Sequence, residues 1–209
     1  SFILLSVVTM SQRPDPDWPV FRGASNLTGY TSSVLPSSPA LLWSVPTGQG
    51  SKSSPVVSNG IIYFGTSKGR LIAVSPDGSI KWTKETGSAI EGPPMISGNN
   101  IFIGSNDGIM RAFDKNSGRL IWSYASENQI SGSANIWVSG KRTGLIFGSY
   151  DYFLHCVDPL TGKLMWKLET ENYVNGTPAV MNNRIVFGGC DGMVRIADPL
   201  TGKERNKFE

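Results

Sequence analysis

The sequence predicts an all-β protein, and three observations support that class. Among the 209 residues are 24 glycines and 13 prolines, with 39% apolar and 17% charged residues, which is typical of a turn-rich globular chain. Short runs rich in β-branched and aromatic residues, such as IIYFG and RLIAV, are separated by the hairpin signals NG and SKG. The same order of runs and turns then recurs about every forty residues.

Two independent landmarks set this period. The pattern Gly-x-x-x-Trp ends at Trp82, Trp122 and Trp166, and Asn206 takes the fourth matching place. A glycine also closes an apolar run in each unit, at Gly65, Gly104, Gly148 and Gly188. Both landmarks give units of 39 to 44 residues. The third unit has four extra residues between Ala134 and Gly148, which we expect to lengthen a turn.

Each unit contains four strand-like runs and cannot bury both of its faces alone. Such units stack around an axis as the blades of a β-propeller, so we predict four antiparallel blades at about 53–86, 92–125, 132–169 and 176–209. The repeated phrase DPLTGK is predicted as the turn between the third and fourth strands, where Asp caps, Pro fixes φ and Gly takes a left-handed corner. The following Trp then lies on the outer strand at a contact between blades.

Three residues carry more specific expectations. Tyr152 replaces the glycine found at Gly69, Gly108 and Gly192, so we expect the turn to change type there, the alternative being a strained backbone. His155 falls in a third strand, where alternation predicts a half-exposed side chain. The aspartates Asp107, Asp151 and Asp191 are placed in hairpin turns, and Asp114, Asp158 and Asp198 are interpreted as turn caps.

The turn and its tryptophan resemble a known blade signature. AFDKNSGRLIW, residues 112–122, matches the Ala-x-Asp-x-x-x-Gly-x-x-x-Trp motif of PQQ-like repeat β-propellers, the quinoprotein alcohol dehydrogenase-like superfamily. CVDPLTGKLMW, IADPLTGKERN and AVSPDGSIKW match it in part, so the resemblance covers about residues 40–209. DWPVFRG, residues 17–23, is similar to the WPxFRG opening of exported bacterial members. The resemblance implies a ring of seven or eight blades.

The start of the chain suggests three further segments. Residues 1–12 contain an apolar run, Phe2 to Val8, that suits the remnant of a signal peptide, the alternative being a disordered or strand-like terminus. Residues 13–39 are predicted as an extended segment, and 40–46 as an orphan outer strand, because Trp43 lies 39 residues before Trp82. We therefore expect an N-terminal fragment whose remaining blades complete the ring, the alternative being a closed four-bladed ring.

A candidate binding site comes from the loops that join successive blades. Aligned on Pro55, Pro94, Ala134 and Pro178, these loops read GSKSSP, AIEGPP, QISGSA and YVNGTP. The residue two before the anchor is small each time, whereas the residue three before it is polar and different each time. These variable positions are Lys52, Glu91, Ser131 and Asn175. A repeated scaffold that varies one polar position can present a binding surface there, the alternative being ordinary solvated loop residues.

Charge and composition narrow the function. The net charge of +3, with no basic run longer than Lys141-Arg142, does not indicate a nucleic-acid partner, and no apolar segment is long enough to span a membrane. We expect a periplasmic or secreted, non-catalytic scaffold for protein or peptide partners, without a cofactor in this stretch, similar to the propeller component of outer-membrane protein assembly. The main alternative is a periplasmic PQQ-dependent alcohol or sugar dehydrogenase, which implies PQQ and Ca²⁺ held mostly elsewhere. A sensor or carbohydrate-associated propeller is the third hypothesis.

Overall fold

Sixteen strands and no helix make up the regular structure of residues 17–34, 36–48 and 50–209, which the computed structural model describes. The described residues thus include no helix that is long and apolar enough to cross a membrane. The strands are β1 Val56–Ser58, β2 Ile61–Gly65, β3 Arg70–Val74, β4 Ile80–Glu85, β5 Met95–Ser97, β6 Asn100–Gly104, β7 Ile109–Asp114, β8 Leu120–Ala125, β9 Asn135–Ser139, β10 Arg142–Gly148, β11 Phe153–Val157, β12 Leu164–Glu169, β13 Ala179–Met181, β14 Arg184–Gly188, β15 Val194–Ala197 and β16 Glu204–Phe208.

The strands form four antiparallel sheets of four, each in sequence order, which confirms the predicted all-β, blade-like architecture. First strands of neighbouring sheets contact each other, β1 with β5 and β9 with β13, and therefore lie at the hub. The sheets are called blades 1 to 4 below. In blade 1 the Asn59-Gly60 turn has φ of 50° and 75°, as a type I′ hairpin requires.

The core consists of three buried clusters, each between two successive blades. The cluster between blades 1 and 2 joins Tyr63 and Leu71 to Ile101 and Phe113. Equivalent clusters join blade 2 to blade 3 and blade 3 to blade 4. Because each inner blade buries both faces, its middle strands do not show a simple alternation of buried and exposed residues.

Blade contacts repeat at the turns between third and fourth strands. Trp122 in β8 donates from Nε1 to the Pro159 carbonyl of blade 3 at 3.0 Å, and its ring covers Gly162, where an added Cβ would lie 2.6 Å away. The same bond joins Trp82 to Lys115 O, Trp166 to Pro199 O and Trp43 to Pro76 O. The predicted role of these tryptophans at blade contacts is confirmed.

The caps in these turns are also confirmed. Asp158 Oδ1 accepts bonds from the backbone N–H groups of Leu160 and Thr161, at 2.8 and 2.9 Å, and Gly162 has φ of 71°. Asp114 and Asp198 make the equivalent bonds in blades 2 and 4.

The four extra residues of the third unit do not lengthen a turn, so that expectation is wrong. β9 has 5 residues and β10 has 7, against 3 and 5 for β1 and β2. Two residues are added to each strand, and the hairpin keeps a short turn at Gly140-Lys141. The added residues of β10 pair with β9, so the insertion extends the ladder between these two strands.

The segment that precedes the blades crosses the hub. Trp18 exchanges two backbone hydrogen bonds of 2.9 Å with Val57 in β1, and the Pro19 carbonyl accepts from Ile96 N in β5 at 2.7 Å. The Ser25 carbonyl accepts from Asn135 Nδ2 and from Val180 N, in β9 and β13. This stretch, including the DWPVFRG motif, therefore bonds to the first strand of every blade, which the sequence did not reveal.

The structure describes only part of the N-terminal region for which the sequence made predictions. The predicted signal remnant, residues 1–12, and positions 13–16 of the extended segment lie outside the described residues. Residues 40–46 form no ladder with a described strand, although Trp43 makes the blade-contact bond of an outer-strand tryptophan.

Candidate functional site

The loops between blades and the turns between second and third strands share one end of the molecule, here called the upper end. Ile90 N donates to Thr66 O, Ile130 N to Ser105 O and Val174 N to Ser149 O, at 3.0 to 3.1 Å. The turns between first and second strands and those between third and fourth strands share the other, lower end, as the bond from Lys115 N to Asn99 O shows.

One buried aliphatic residue anchors each of these loops. Ile90, Ile130 and Val174 are fully buried, and their side chains fill the space above Gly65, Gly104 and Gly148. A Cβ at Gly104 would lie 2.2 Å from Ile130 Cγ2, so only glycine admits the anchor. The glycine that served as a sequence landmark is therefore the socket for the loop.

The four predicted binding residues come directly after these anchors or, for Lys52, at the matching place. Lys52 Nζ lies 2.9 Å from Glu91 Oε1, with the side chains 70% and 29% exposed. This hydrogen bond, together with the negative charge of Glu91, raises the pKa of Lys52. Asn175 is exposed, whereas the Ser131 Oγ is buried and has no hydrogen-bond partner among the described residues.

Consecutive loops touch through their small residues. Ser53 Oγ donates to Gly92 O at 3.0 Å. A Cβ on Gly92 would lie 2.5 Å from Gly132 O, and one on Gly132 would lie 2.9 Å from Gly176 O. Lys52, Glu91, Ser131 and Asn175 therefore belong to adjoining loops and form a row, with only Lys52 and Glu91 paired through their side chains.

A repeated pair follows each upper turn of blades 2 to 4. Asp107 faces Arg111 at 2.6 Å, Asp151 faces His155 at 3.0 Å and Asp191 faces Arg195 at 2.7 Å. The sequence placed these aspartates in turns, which is confirmed, but it missed their partners four residues later. The spacing D-x-x-x-[RH] was the available signal, because a turn of this length brings both side chains to one side of the third strand.

His155 is 2% exposed, so the expected half-exposed position is wrong. Its Nδ1 lies 3.0 Å from Tyr124 Oη of blade 2, and its ring stacks on Phe147 at 5.2 Å. Neighbouring blades cover both faces of β11, so alternation along the strand exposes neither face. Burial tends to raise the pKa of Asp151, but the hydrogen bond and charge of His155 outweigh it and leave that pKa below its ordinary value. Burial, with Asp151 nearby, raises the pKa of Tyr124.

Tyr152 keeps the left-handed conformation, so the expected change of turn type is wrong. Its φ is 74°, compared with 82°, 77° and 77° for Gly69, Gly108 and Gly192. Thr170 donates from both its N–H and Oγ1 to Tyr152 O at 2.8 Å, as Thr86 does to Gly69 O. These bonds, which continue the β11–β12 ladder of blade 3, fix the turn regardless of the side chain it carries.

The described residues do not fit the Ca²⁺ and PQQ site that the resemblance to quinoproteins implies. Residues 17–34, 36–48 and 50–209 contain no group of three His, Cys, Asp or Glu side chains that could hold a metal ion. The upper-end aspartates already face Arg111, His155 and Arg195. Cys156 is buried, which raises the pKa of its thiol to about 12, and Cys190 lies apart on the surface of blade 4.

Comparison with known proteins agrees with this architecture. BamB from Moraxella catarrhalis is 26% identical, with a TM-score of 0.62 over 72% of this chain and 50% of its own. A quinohemoprotein alcohol dehydrogenase from Comamonas testosteroni is 17% identical, with a TM-score of 0.77 over 94% of this chain and 41% of its own. A europium-containing methanol dehydrogenase is 15% identical, with a TM-score of 0.75 over 95% and 49%. The two dehydrogenases show a shared fold alone.

The chain spans half or less of the length of these solved structures. No curated protein gives a significant match. A sequence model of the family described as outer membrane protein assembly factor BamB matches residues 29–150, more than half of the chain. The repeats, the blade contacts and this match together show that the chain belongs to the BamB family of PQQ-like repeat β-propellers.

Proposed function

We propose that the chain is a non-catalytic scaffold of the cell envelope, exported to the periplasm, which binds protein or peptide partners during outer-membrane protein assembly. The family match supports the process, since the family is described as an outer-membrane assembly factor. The row formed by Lys52, Glu91, Ser131 and Asn175 supports the binding role and is the proposed contact surface.

The observation that carries this proposal is the contrast within each loop. Ile90, Ile130 and Val174 are fully buried and hold their loops in one conformation. The next residue changes from a carboxylate in Glu91 to an amide in Asn175, and between them stands Ser131, whose hydroxyl is buried. Loops that are already ordered lose little conformational entropy on binding, so varied side chains on them favour selective recognition.

The charged end of the row would set the specificity. Lys52 and Glu91 are exposed enough to meet a partner while they remain paired with each other. Exposed charges at an interface contribute to the choice of partner and to the rate of association more than to affinity. A partner segment that carries one acidic and one basic side chain matches this pair.

The test distinguishes the polarity of the Lys52–Glu91 pair from the mere presence of an ion pair at this place. Lys52→Glu and Glu91→Lys each place like charges together, whereas the double variant restores an ion pair with reversed polarity. We expect all three to reduce the capture of envelope proteins by the tagged full chain, and to reduce outer-membrane protein levels when they replace the wild type in cells. The matched control swaps Arg70 and Glu85, another exposed pair at 2.6 Å, and should change neither readout.

Two results would contradict the proposal. Unchanged capture and unchanged outer-membrane protein levels in the reversed double variant would remove the row from the contact surface. A full chain that becomes coloured with PQQ and Ca²⁺, and then oxidises an alcohol or a sugar in a dye-linked assay, would establish the dehydrogenase alternative instead.

A further inference from the structure

Three tyrosines gather at the upper end between blades 3 and 4. The rings of Tyr150 and Tyr173 are stacked with centroids 4.6 Å apart, and Tyr152 lies 5.3 Å from Tyr173. Tyr152 is 44% exposed and Tyr173 is 36% exposed. None of the three hydroxyls bonds to another described residue, so the rings present both aromatic surface and free hydroxyl groups.

The backbone at Tyr152 disfavours the residue that it carries. A φ of 74° brings the Cβ of an L-residue close to its own backbone, and the equivalent turns carry glycine. The hydrogen bonds from Thr170 impose this conformation, so the strain is intrinsic to placing tyrosine here. Residues held in unfavourable conformations cluster where the side chain has a use in binding.

The other blade junctions provide an internal comparison. At the junction of blades 2 and 3, the positions of Tyr150, Tyr152 and Tyr173 are taken by Asn106, Gly108 and Gln129. At the junction of blades 1 and 2 they are taken by Ser67, Gly69 and Ala89. The backbone contact is common to them, since Tyr150 N donates to Gln129 O and Cys190 N donates to Tyr173 O. One common framework therefore carries an aromatic cluster at a single junction.

The charges around this cluster are already paired. Asp151 is bonded to His155, while Asp191 and Glu171 face Arg195. Glu171 also lies 3.0 Å from Lys207 Nζ. The carboxylates beside the tyrosines thus all have partners, which favours an uncharged occupant. Its polar groups are the phenol hydroxyls and the amides of the flanking Asn172 and Asn175.

Backbone groups around the tyrosines are also already hydrogen-bonded. Val174 N donates to Ser149 O, and the N–H groups of Tyr150 and Cys190 are bonded across the junctions. A peptide that added itself as a strand would need free backbone groups of this kind. Recognition at this place therefore relies on ring faces, hydroxyls and amides of side chains.

We propose that Tyr150, Tyr152 and Tyr173 form a binding site for a neutral oligosaccharide of pyranose units. A pyranose ring carries an apolar C–H face that packs on an aromatic ring, whose face is electron-rich. The rim of sugar hydroxyls matches the free phenol hydroxyls and the exposed amide of Asn175, and a neutral sugar needs no counter-charge. This site does not depend on the proposed scaffold function.

The test uses cellohexaose, chitohexaose and maltohexaose as probes, titrated into the full chain and followed by calorimetry and by saturation-transfer NMR. We expect at least one probe to bind with Kd in the millimolar range or below. Tyr150→Asn and Tyr173→Gln, which install the residues of the neighbouring junction, should each weaken that binding about three- to tenfold. Tyr30→Ala removes an exposed tyrosine outside the cluster and should leave it unchanged.

Tyr152→Gly separates a binding role from a structural one. Glycine relieves the left-handed backbone, so we expect the denaturation midpoint to be at least as high as in the wild type, while sugar binding weakens. A lower midpoint would mean that the ring serves packing and would overturn the proposal. So would no binding of any hexasaccharide, equal binding by the three cluster variants, or binding of decaproline in place of the sugars.

Discussion

The lower and upper ends of the blades are made by the same chain repeats, but the lower end repeats one tryptophan-to-turn contact, whereas the side chains of the upper end differ between blades. At the lower end, Trp43, Trp82, Trp122 and Trp166 each donate to a carbonyl in the next turn along the chain. At the upper end, blades 2 to 4 each carry an aspartate paired with the residue four positions later, namely Asp107 with Arg111, Asp151 with His155 and Asp191 with Arg195. Blade 1 has Lys68 and Ile72 at the equivalent positions.

The lower contacts therefore form a constant framework, and the upper end carries the side chains that vary from blade to blade. The lower contacts combine a buried or half-buried tryptophan ring with a glycine that leaves room for it, so each side of the contact constrains the other. The upper end is held by Ile90, Ile130 and Val174 from within, which leaves the outward side chains free to differ. We therefore expect substitutions at the lower end to reduce stability most, and those at the outer surface of the upper end to change function instead.

The largest effect is expected for Trp122→Ala. The substitution removes a buried ring between blades 2 and 3 and its bond to Pro159 O, which should lower the free energy of unfolding by about 3–5 kcal/mol. Denaturant titration of the two proteins measures this difference. Trp43→Ala is the matched control, because Trp43 makes the same bond but is only half-buried. This variant should lose clearly less free energy of unfolding. Equal losses would show that burial does not decide the contribution.

A smaller loss of stability is expected for Gly104→Ala, at the upper-end glycine that makes room for the Ile130 side chain. The new Cβ would lie 2.2 Å from Ile130 Cγ2, so the loop anchor must move, at a cost of about 1–3 kcal/mol. Gly176→Ala is the control, since no atom lies within 4 Å of the Cβ that it adds. Urea titration compares the two variants. If Gly104→Ala were as stable as Gly176→Ala, the buried anchors would not be what orders the loops.

The lower end could be predicted from sequence because its rules are local. Asp158, Pro159 and Gly162 form their turn within six residues, and the same letters recur at Asp198. The tryptophan that follows at a fixed distance then meets the corresponding turn of the next blade. The period alone was therefore sufficient to place both the turn and the blade contact.

The upper end could be predicted only in part, because its side chains depend on contacts with other strands and loops. His155 was expected to be half-exposed, but Tyr124 and Phe147 enclose it. Tyr152 was expected to change its turn, but Thr170, which follows β12 of the same blade, holds that turn. The pairing of Lys52 with Glu91, 39 residues apart, likewise follows from how loops adjoin and not from either loop alone.

The upper-end pair Asp191 and Arg195 gives a prediction that depends on pH. The hydrogen bond from Arg195, against the effect of burial, lowers the pKa of Asp191 to about 2 from an ordinary 3.8. A lowered folded-state pKa stabilises the fold above the unfolded value, and this contribution is lost as the pH falls through the folded value. Asp191→Asn should therefore have a lower thermal midpoint than the wild type at neutral pH, with the gap closing between pH 3.8 and about pH 2.

The control for that experiment is Glu127→Gln, because Glu127 is exposed and forms no ion pair within the described residues. Its midpoint should follow the wild type at every pH. A gap for Asp191→Asn that stayed constant down to pH 2 would assign the loss to packing of the side chain and not to its charge.

The smallest effect on stability is expected where the functional effect should be large. Lys52→Ala removes one partner of an exposed ion pair, and such pairs contribute little to folding, so the denaturation midpoint should not change measurably. The same variant should capture fewer envelope partners, because the row would lose its only cationic side chain. A drop in the midpoint would instead place this pair with the framework contacts of the lower end, and the contrast between the two ends would not extend to the loops at the hub.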